Sequence, residues 1–319
     1  MWTKEAILGS SIIRTMWTPW IATTALTQKN IIIKKLRKEK ERMVEVITPA
    51  QQLCEVAVKF LQNKGYRVIY CALYGAQNYN LQRATSDFDY KAIVVPTLED
   101  IVFNKKPVSE TVELPFDGQV DVKDVRLMID QWKKGSTNFT ELLFSDWFWI
   151  HPDYQMMQWF RDNRERIAHA NEESALRAMV GMVKEKFHAL QHPYPIQKEE
   201  VEKYGYAAKQ LHHEIRLLDM VRHFKQVNYS ELLNPFKGED KSRQNHYDYI
   251  RQIKNRDISL TEQEAVSMGA EIQKEADAWL DIYKEKNILD FNADTLAEMD
   301  QQKFLIIKKA LHNELLRED

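Results

Sequence analysis

Glycine is scarce in this chain, with nine residues in 319. Glycine-rich phosphate loops need backbone that can approach a ligand without a Cβ, so they are nearly excluded. Cysteine is scarcer still. Cys54 and Cys71 do not form a C-x-x-C pair, and two cysteines make neither a disulfide framework nor a thiolate zinc site. A reducing cytoplasm is the expected compartment. An excess of either charge is also lacking: 45 basic and 47 acidic residues leave a formal charge of −2. No global field is available to hold nucleic acid, so such binding has to use a local patch. There is no internal repeat, and no continuous apolar run of the ~20 residues that a membrane span needs. What is present is ordinary for a soluble globular protein: 44% apolar and 29% charged residues, with length for about two domains.

Residues 1–42 read differently from the rest. A mildly apolar stretch, Ala6 to Leu26, contains Arg14 and Pro19. It is followed by Lys29 to Arg42, where seven basic and two acidic residues give a net of +5. A signal peptide carries its charges before the apolar part, the reverse of this order. One expectation is an interfacial arm. The other is a mis-assigned start with the working chain beginning at Met43, because a translated ribosome-binding site would give a Lys/Glu/Arg-rich stretch like Lys38 to Arg42.

From Met43 the pattern predicts α+β architecture: a small mixed-sheet domain over 43–150, then an all-helical domain over 151–319. Thr48-Pro49 opens a helix, with Leu53, Val56, Phe60 and Leu61 as its stripe and Gly65 as its stop. Arg67 to Tyr74, Asp87 to Val95 and Gln119 to Val122 read as strands, and Thr97 to Asp117 as a loop with a short helix near Leu98 to Phe103. Asp124 caps a helix that Gly135 ends. Beyond Pro152, period-3.6 stretches run over Tyr154–Ala168, Ser174–Leu190, Lys198–Lys225, Gln244–Asn255, Thr261–Glu285 and Ala293–Leu316.

The chemistry sits between Gly75 and Asp121. Ser86-Asp87-Phe88-Asp89 opens the second strand, and residues two apart on a strand share a side. Two neighbouring carboxylates repel unless a cation lies between them. Magnesium suits all-oxygen ligands and takes one or two carboxylates plus substrate phosphates. Asp121, after a strand-like stretch, is the candidate third acid of a two-metal site. An isolated D-x-D is more often a polar loop leading into a strand, so the spacing around it decides the matter.

That spacing resembles the DNA polymerase β nucleotidyltransferase superfamily, and more closely its subgroup associated with RNA repair operons and phages. The pattern G-S-x-x-Y-x(6)-S-D-x-D-x-[KR] is met in register by Gly75, Tyr79, Ser86, Asp87, Asp89 and Lys91. Asp121, Lys134-Gly135 and Asn138 to Phe144 continue the likeness, as does Tyr206, Lys209, His213, Arg216, Leu217 and Leu218 for a helical Y-x-x-K-x-x-x-H-x-x-R-L-L. Ala76 departs from it, standing where the family usually has serine.

The resemblance implies metal-dependent transfer of a nucleoside monophosphate from a nucleoside triphosphate to an acceptor hydroxyl. Asp87, Asp89 and Asp121 are the expected ligands of Mg2+ (or Mn2+), with Asp121 also the candidate base. Gly75, Ala76, Tyr79, Ser86, Lys91, Lys209, His213 and Arg216 are the expected nucleotide contacts. The helical spacing of Tyr206, Lys209, His213 and Arg216 puts them on one stripe, with Leu211, Ile215 and Leu218 roughly opposite. Truncating Arg216 should then weaken triphosphate binding with little loss of thermal stability. The RNA-repair likeness points to an RNA 3′ end as acceptor. A protein or a small molecule stays open, as does a catalytically weak nucleotide-binding relative. No membrane partner is expected, and neither base preference nor oligomeric state is encoded legibly.

Overall fold

The computed structural model describes residues 49–83, 86–115 and 118–316. The expectations for residues 1–42 and for the Thr48 cap lie outside the described residues. Helix α1 (Pro49–Asn63) precedes strand β1 (Val68–Leu73). Then come β2 (Phe88–Val94), α2 (Leu98–Val102), β3 (Ser109–Glu113), β4 (Gly118–Asp124), α3 (Val125–Lys133), the short α4 (Thr137–Thr140) and β5 (Phe148–Ile150). Nine further helices follow: α5 (Met156–Asp162), α6 (Arg164–Ala168), α7 (Glu172–Gln191), α8 (Lys198–Tyr204), α9 (Ala208–His223), α10 (Tyr229–Leu233), α11 (Lys241–Asn255), α12 (Glu262–Glu285) and α13 (Ala293–Leu315). No described helix is long and apolar enough to cross a membrane.

The five strands form one mixed sheet in the order β3-β4-β2-β1-β5. Among the described strands only the β2–β4 pair is parallel; the other three pairs are antiparallel. Side-chain alternation sorts the sheet into two buried faces. Cys71, Leu73, Tyr90, Ala92, Val94, Val120 and Val122 face α1, which buries Leu53, Cys54, Ala57, Val58 and Leu61 against them. Tyr70, Ala72 and Ile93 point the other way and join one continuous interior with the helices. Asp89 and Lys91 share a side with Ile93 by parity. The acidic end of β2 therefore opens toward the helical half.

Side-chain hydrogen bonds tie the two halves together. Arg161 on α5 donates to the Tyr70 hydroxyl at 2.9 Å and to the Ser145 carbonyl at 2.9 Å. Its guanidinium lies 3.4 Å from the Phe148 ring centroid. At the other end, α13 returns to α3 through Lys303–Asp130 (2.7 Å) and Lys133–Asp300 (2.6 Å), and Arg67 donates to the Ala310 carbonyl at 2.7 Å.

Several elements differ from the sequence reading. Strand β3 lies inside the stretch read as a loop. It is an edge strand of mostly exposed Ser-Glu-Thr-Val-Glu, so it has no apolar alternation to read. Strand β5, three residues long, was equally invisible. The stretch Lys198–Lys225 is two helices. Gly205 ends α8 in the left-handed region at φ 80°, and Tyr206 and Ala207 form a buried connection before α9. Tyr154–Ala168 breaks similarly at Asn163 into α5 and α6.

Helix α9 is buried on most of its circumference, and one consequence is a buried acid. Glu214 is 0% exposed, and neither of its carboxyl oxygens has a hydrogen-bond partner among the described residues. It faces α12, where a Cβ on Gly269 would stand 2.9 Å from its Oε2. Burial raises this carboxyl from 4.5 to about 8. The unfolded chain loses that proton above about 4.5, and the folded chain keeps it up to about 8. The stability from the protonated form is thus complete below pH 4.5 and is lost as pH rises toward 8. Glu214→Gln should flatten the decline of Tm across this window and raise Tm at pH 8, as thermal melts at several pH values would show. An unchanged slope would assign the decline to other groups.

Candidate active site

A cleft of about 660 Å³ opens between the acidic end of the sheet and helices α7, α8, α9 and α11. Its floor is the turn after β1. Gly75 holds φ 82°, a region open to glycine at no steric cost, and the chain then makes a single 3-10 turn over Gly75–Gln77. Gly75, Ala76 and Tyr79 line the cleft from this side, and Ser86, Asp87 and Asp89 line it from the start of β2. The Ser86 hydroxyl accepts from the Arg83 amide at 2.8 Å, which closes the loop ahead of Asp87. Asp87 is exposed and Asp89 half-buried. Burial first, then the Asp87 charge, pushes the Asp89 carboxyl above its ordinary range.

The opposite wall is α9. Lys209, His213 and Arg216 all line the cleft, and Lys209 is exposed. Tyr206 lies off the stripe, buried in the connection before the helix. Arg216 is only 2% exposed, and its guanidinium sits 3.7 Å from the Tyr79 ring centroid. Its Nη1 donates to the Met220 sulfur at 3.3 Å, and its Nε has no partner among the described residues. Burial and neighbouring cations hold both His212 and His213 well below the ordinary imidazole range, His212 at about 3. Both rings are neutral in this arrangement. His213 is therefore suited to donating a hydrogen bond to a phosphate oxygen rather than to supplying a cation.

Lys91 and Asp121 do not line the cleft. In the parallel β2–β4 register Lys91 lies opposite Asp121, and Gln119 lies opposite Asp89. Lys91 Nζ is 3.2 Å from Asp121 Oδ2 and 3.7 Å from the Tyr74 ring centroid. Lys123 takes the other Asp121 oxygen at 3.0 Å. Burial lowers Lys91 despite this pairing. The Lys105–Ser109 segment contributes no lining residue. Lys105 instead pairs with Glu99 at 2.6 Å.

Several lining residues were not among the expected site residues. Glu141 sits in the Asn138–Phe144 segment that carries the family likeness, and the fold gives it a place. The Trp132 indole donates to the Phe139 carbonyl at 2.9 Å, and the Tyr70 hydroxyl donates to the Leu142 carbonyl at 3.0 Å. These two buried anchors aim the Glu141 carboxyl into the cleft, where it accepts from the Tyr79 hydroxyl and the Gly75 amide. Burial raises it to about 8 in spite of Arg216. Arg83, Lys186, Glu200, His212 and Lys254 complete much of the wall. They come from the β1–β2 loop, α7, α8, α9 and α11, too far apart in sequence for any motif to join them.

The donor set fits a hard cation in part. Asp87 and Asp89 present two carboxylates at the cleft, which suits Mg2+ completing its shell with phosphate oxygens. Among the described residues, no three His, Cys, Asp or Glu side chains stand close enough to enclose a metal by themselves. Around the carboxylates, Arg83, Lys209, Arg216 and Lys254 have no carboxylate partner within 4.0 Å among the described residues. Two acids flanked by free cations is an arrangement that can hold an anion and a divalent ion together.

A model of the RNA repair pathway DNA polymerase beta family matches residues 50–302, a span containing every cleft residue named above. No curated protein matches the chain. Among solved structures it is similar to a nucleotidyltransferase-like protein from Exiguobacterium sibiricum 255-15. Identity there is 9% and the TM-score 0.26, over 73% of this chain and 75% of that one, too loose a likeness to add weight. The family match spans most of the chain and includes both the acidic strand and the cationic helix. The chain belongs to the RNA repair pathway DNA polymerase beta family.

Proposed function

We propose that this protein is a cytoplasmic nucleotidyltransferase that moves a nucleoside monophosphate from a nucleoside triphosphate to an RNA 3′ hydroxyl, with Mg2+ or Mn2+. The observation that carries the reading is the pairing of Asp87 and Asp89 with Lys209 and Arg216 across one cleft. In this reading residues 43–150 supply the metal ligands and residues 151–319 the phosphate grip.

Asp87 and Asp89 would hold the ion that carries the triphosphate; Asp121, outside the cleft lining with its oxygens paired to Lys91 and Lys123, would join them only once those pairs broke. Bound there, divalent ions neutralise phosphate charge and lower the pKa of the acceptor hydroxyl. Lys209 and Arg216 draw the β- and γ-phosphates to the α9 wall, and His213 donates to one of their oxygens. The hydroxyl oxygen forms a bond to the α-phosphorus, the bond from that phosphorus to the bridging oxygen breaks, and pyrophosphate leaves. The hydroxyl proton passes to solvent or to a carboxylate. With Ala76 in place of the family's serine, the backbone N–H groups after Gly75 and the Ser86 hydroxyl would hold the triphosphate.

The test is direct. Protein incubated with labelled nucleoside triphosphates, Mg2+ and total RNA is expected to transfer label to RNA and release pyrophosphate. Label appearing on protein instead would move the acceptor to that class. Binding of triphosphate with no transfer to any acceptor would make this a nucleotide-binding relative.

A further inference from the structure

Beyond Lys209 and Arg216, two further cations line the cleft without a carboxylate among the described residues, and this inference rests on the function proposed above. Glu200 is taken by Arg256 at 2.7 Å. Arg83 and Lys254 remain, both lining the cleft and neither with a carboxylate partner among the described residues.

These two side chains are placed together by the fold. Lys254 Nζ donates to the Leu81 carbonyl, and Arg83 Nε donates to Asn255 Oδ1 at 2.8 Å. The end of α11 is thus fastened to the loop that leads into Ser86-Asp87. Arg83 is exposed at the rim, whereas Arg216 is buried deep in the wall. Crowding supports the picture: burial, then Arg83, Lys209 and Arg216, lower the Lys254 ammonium to about 8. An anion seated there would relieve that repulsion.

An aromatic ring stands nearby. Tyr204, 43% exposed, lies one helical turn along α8 from the cleft residue Glu200. The Arg256 guanidinium is 4.6 Å from its ring centroid, and Lys203 Nζ is 4.9 Å away. Exposed aromatics among cations are the usual platform for bases of single-stranded nucleic acid.

We propose that Arg83 and Lys254 grip a phosphodiester of the acceptor strand and that Tyr204 stacks one of its bases. They form an entry track beside the triphosphate site. A deep Arg216 serves the small substrate, and rim cations meet the large one.

The probe is a fluorescent single-stranded 12-nucleotide RNA, titrated in EDTA without nucleotide at several salt concentrations. Its outcome therefore does not depend on metal or on transfer. Arg83→Gln/Lys254→Gln is expected to weaken RNA binding at least about tenfold and to reduce the salt slope by about 1.4, two single-strand contacts. Tyr204→Ala is expected to weaken binding several-fold with the slope unchanged. Triphosphate affinity with Mg2+ should stay within about threefold in all variants, and Lys254→Arg should keep the slope. Unchanged RNA binding in the double variant would overturn the proposal. So would loss of triphosphate affinity as large as the loss of RNA affinity, which would assign the two cations to the triphosphate. RNA binding intact in Asp87→Asn, alongside failed transfer, would leave the track standing whatever the fate of the catalytic reading.

Discussion

Asp87→Asn or Asp89→Asn should reduce nucleotidyl transfer by about 10³-fold or more, about 4 kcal/mol of transition-state stabilisation, while the fold survives. Both carboxylates line the cleft, one exposed and one half-buried, and neither makes an ion pair with a neighbouring side chain among the described residues. Their mutual repulsion costs stability when no cation is present. Without metal, each variant should therefore melt at the same temperature as the parent or slightly higher. Mg2+ should raise the Tm of the parent and not of the variants. Asp121→Asn is expected to differ. It breaks contacts to Lys91 at 3.2 Å and Lys123 at 3.0 Å, so it should lower Tm as well as transfer. Label transfer and thermal melts on the three variants separate these outcomes, and full activity in Asp87→Asn or Asp89→Asn would end the catalytic assignment.

Arg216→Ala should weaken triphosphate binding about 30-fold, roughly 2 kcal/mol for a charged, two-pronged contact. Arg216→Lys should recover only part, because the charge returns without the planar fork. The sequence alone suggested that Tm would barely change. The structure revises that expectation. A side chain 2% exposed, stacked on Tyr79 and bonded to Met220, leaves a cavity when truncated. Arg216→Ala should therefore lower Tm by several degrees too. Lys209→Ala provides the control, since Lys209 is exposed. It should lose several-fold in triphosphate affinity with Tm unchanged. Were affinity to hold in both variants while Tm fell in Arg216→Ala alone, the stripe would be structural. Titration calorimetry and melts on the same preparations read both quantities.

Much of the fold was legible in the chain because local patterns wrote it. Three strands carry β-branched and aromatic runs, and a strand of period 2 can be read without knowing its neighbours. Asp124, Thr261 and Gly135 mark helix ends through local chemistry: two side-chain caps and a left-handed stop. The acidic pair and the α9 stripe can be read as positions from their spacing, but only the family resemblance gave them roles; the cleft brings Asp87, Asp89, Lys209, His213 and Arg216 together.

The tertiary structure decided what depends on partners. Strand β3 exists because β4 offers it an edge, not because Ser-Glu-Thr-Val-Glu favours a strand. Lys91 carries a motif position, yet it is buried between Asp121 and the Tyr74 ring and does not line the cleft. Glu141 and Glu214 are ordinary glutamates in the sequence. Only their loss of water raises each to about 8. Arg83 and Lys254 are separated by most of the helical half and meet because α11 is fastened to the β1–β2 loop. The sequence by itself determined the order of elements, the acidic strand end and the cationic helix face, since each is set by residues within one or two turns. Which side chains are dry, which charges are left without partners, and what the two faces enclose was decided by packing between segments far apart in the chain.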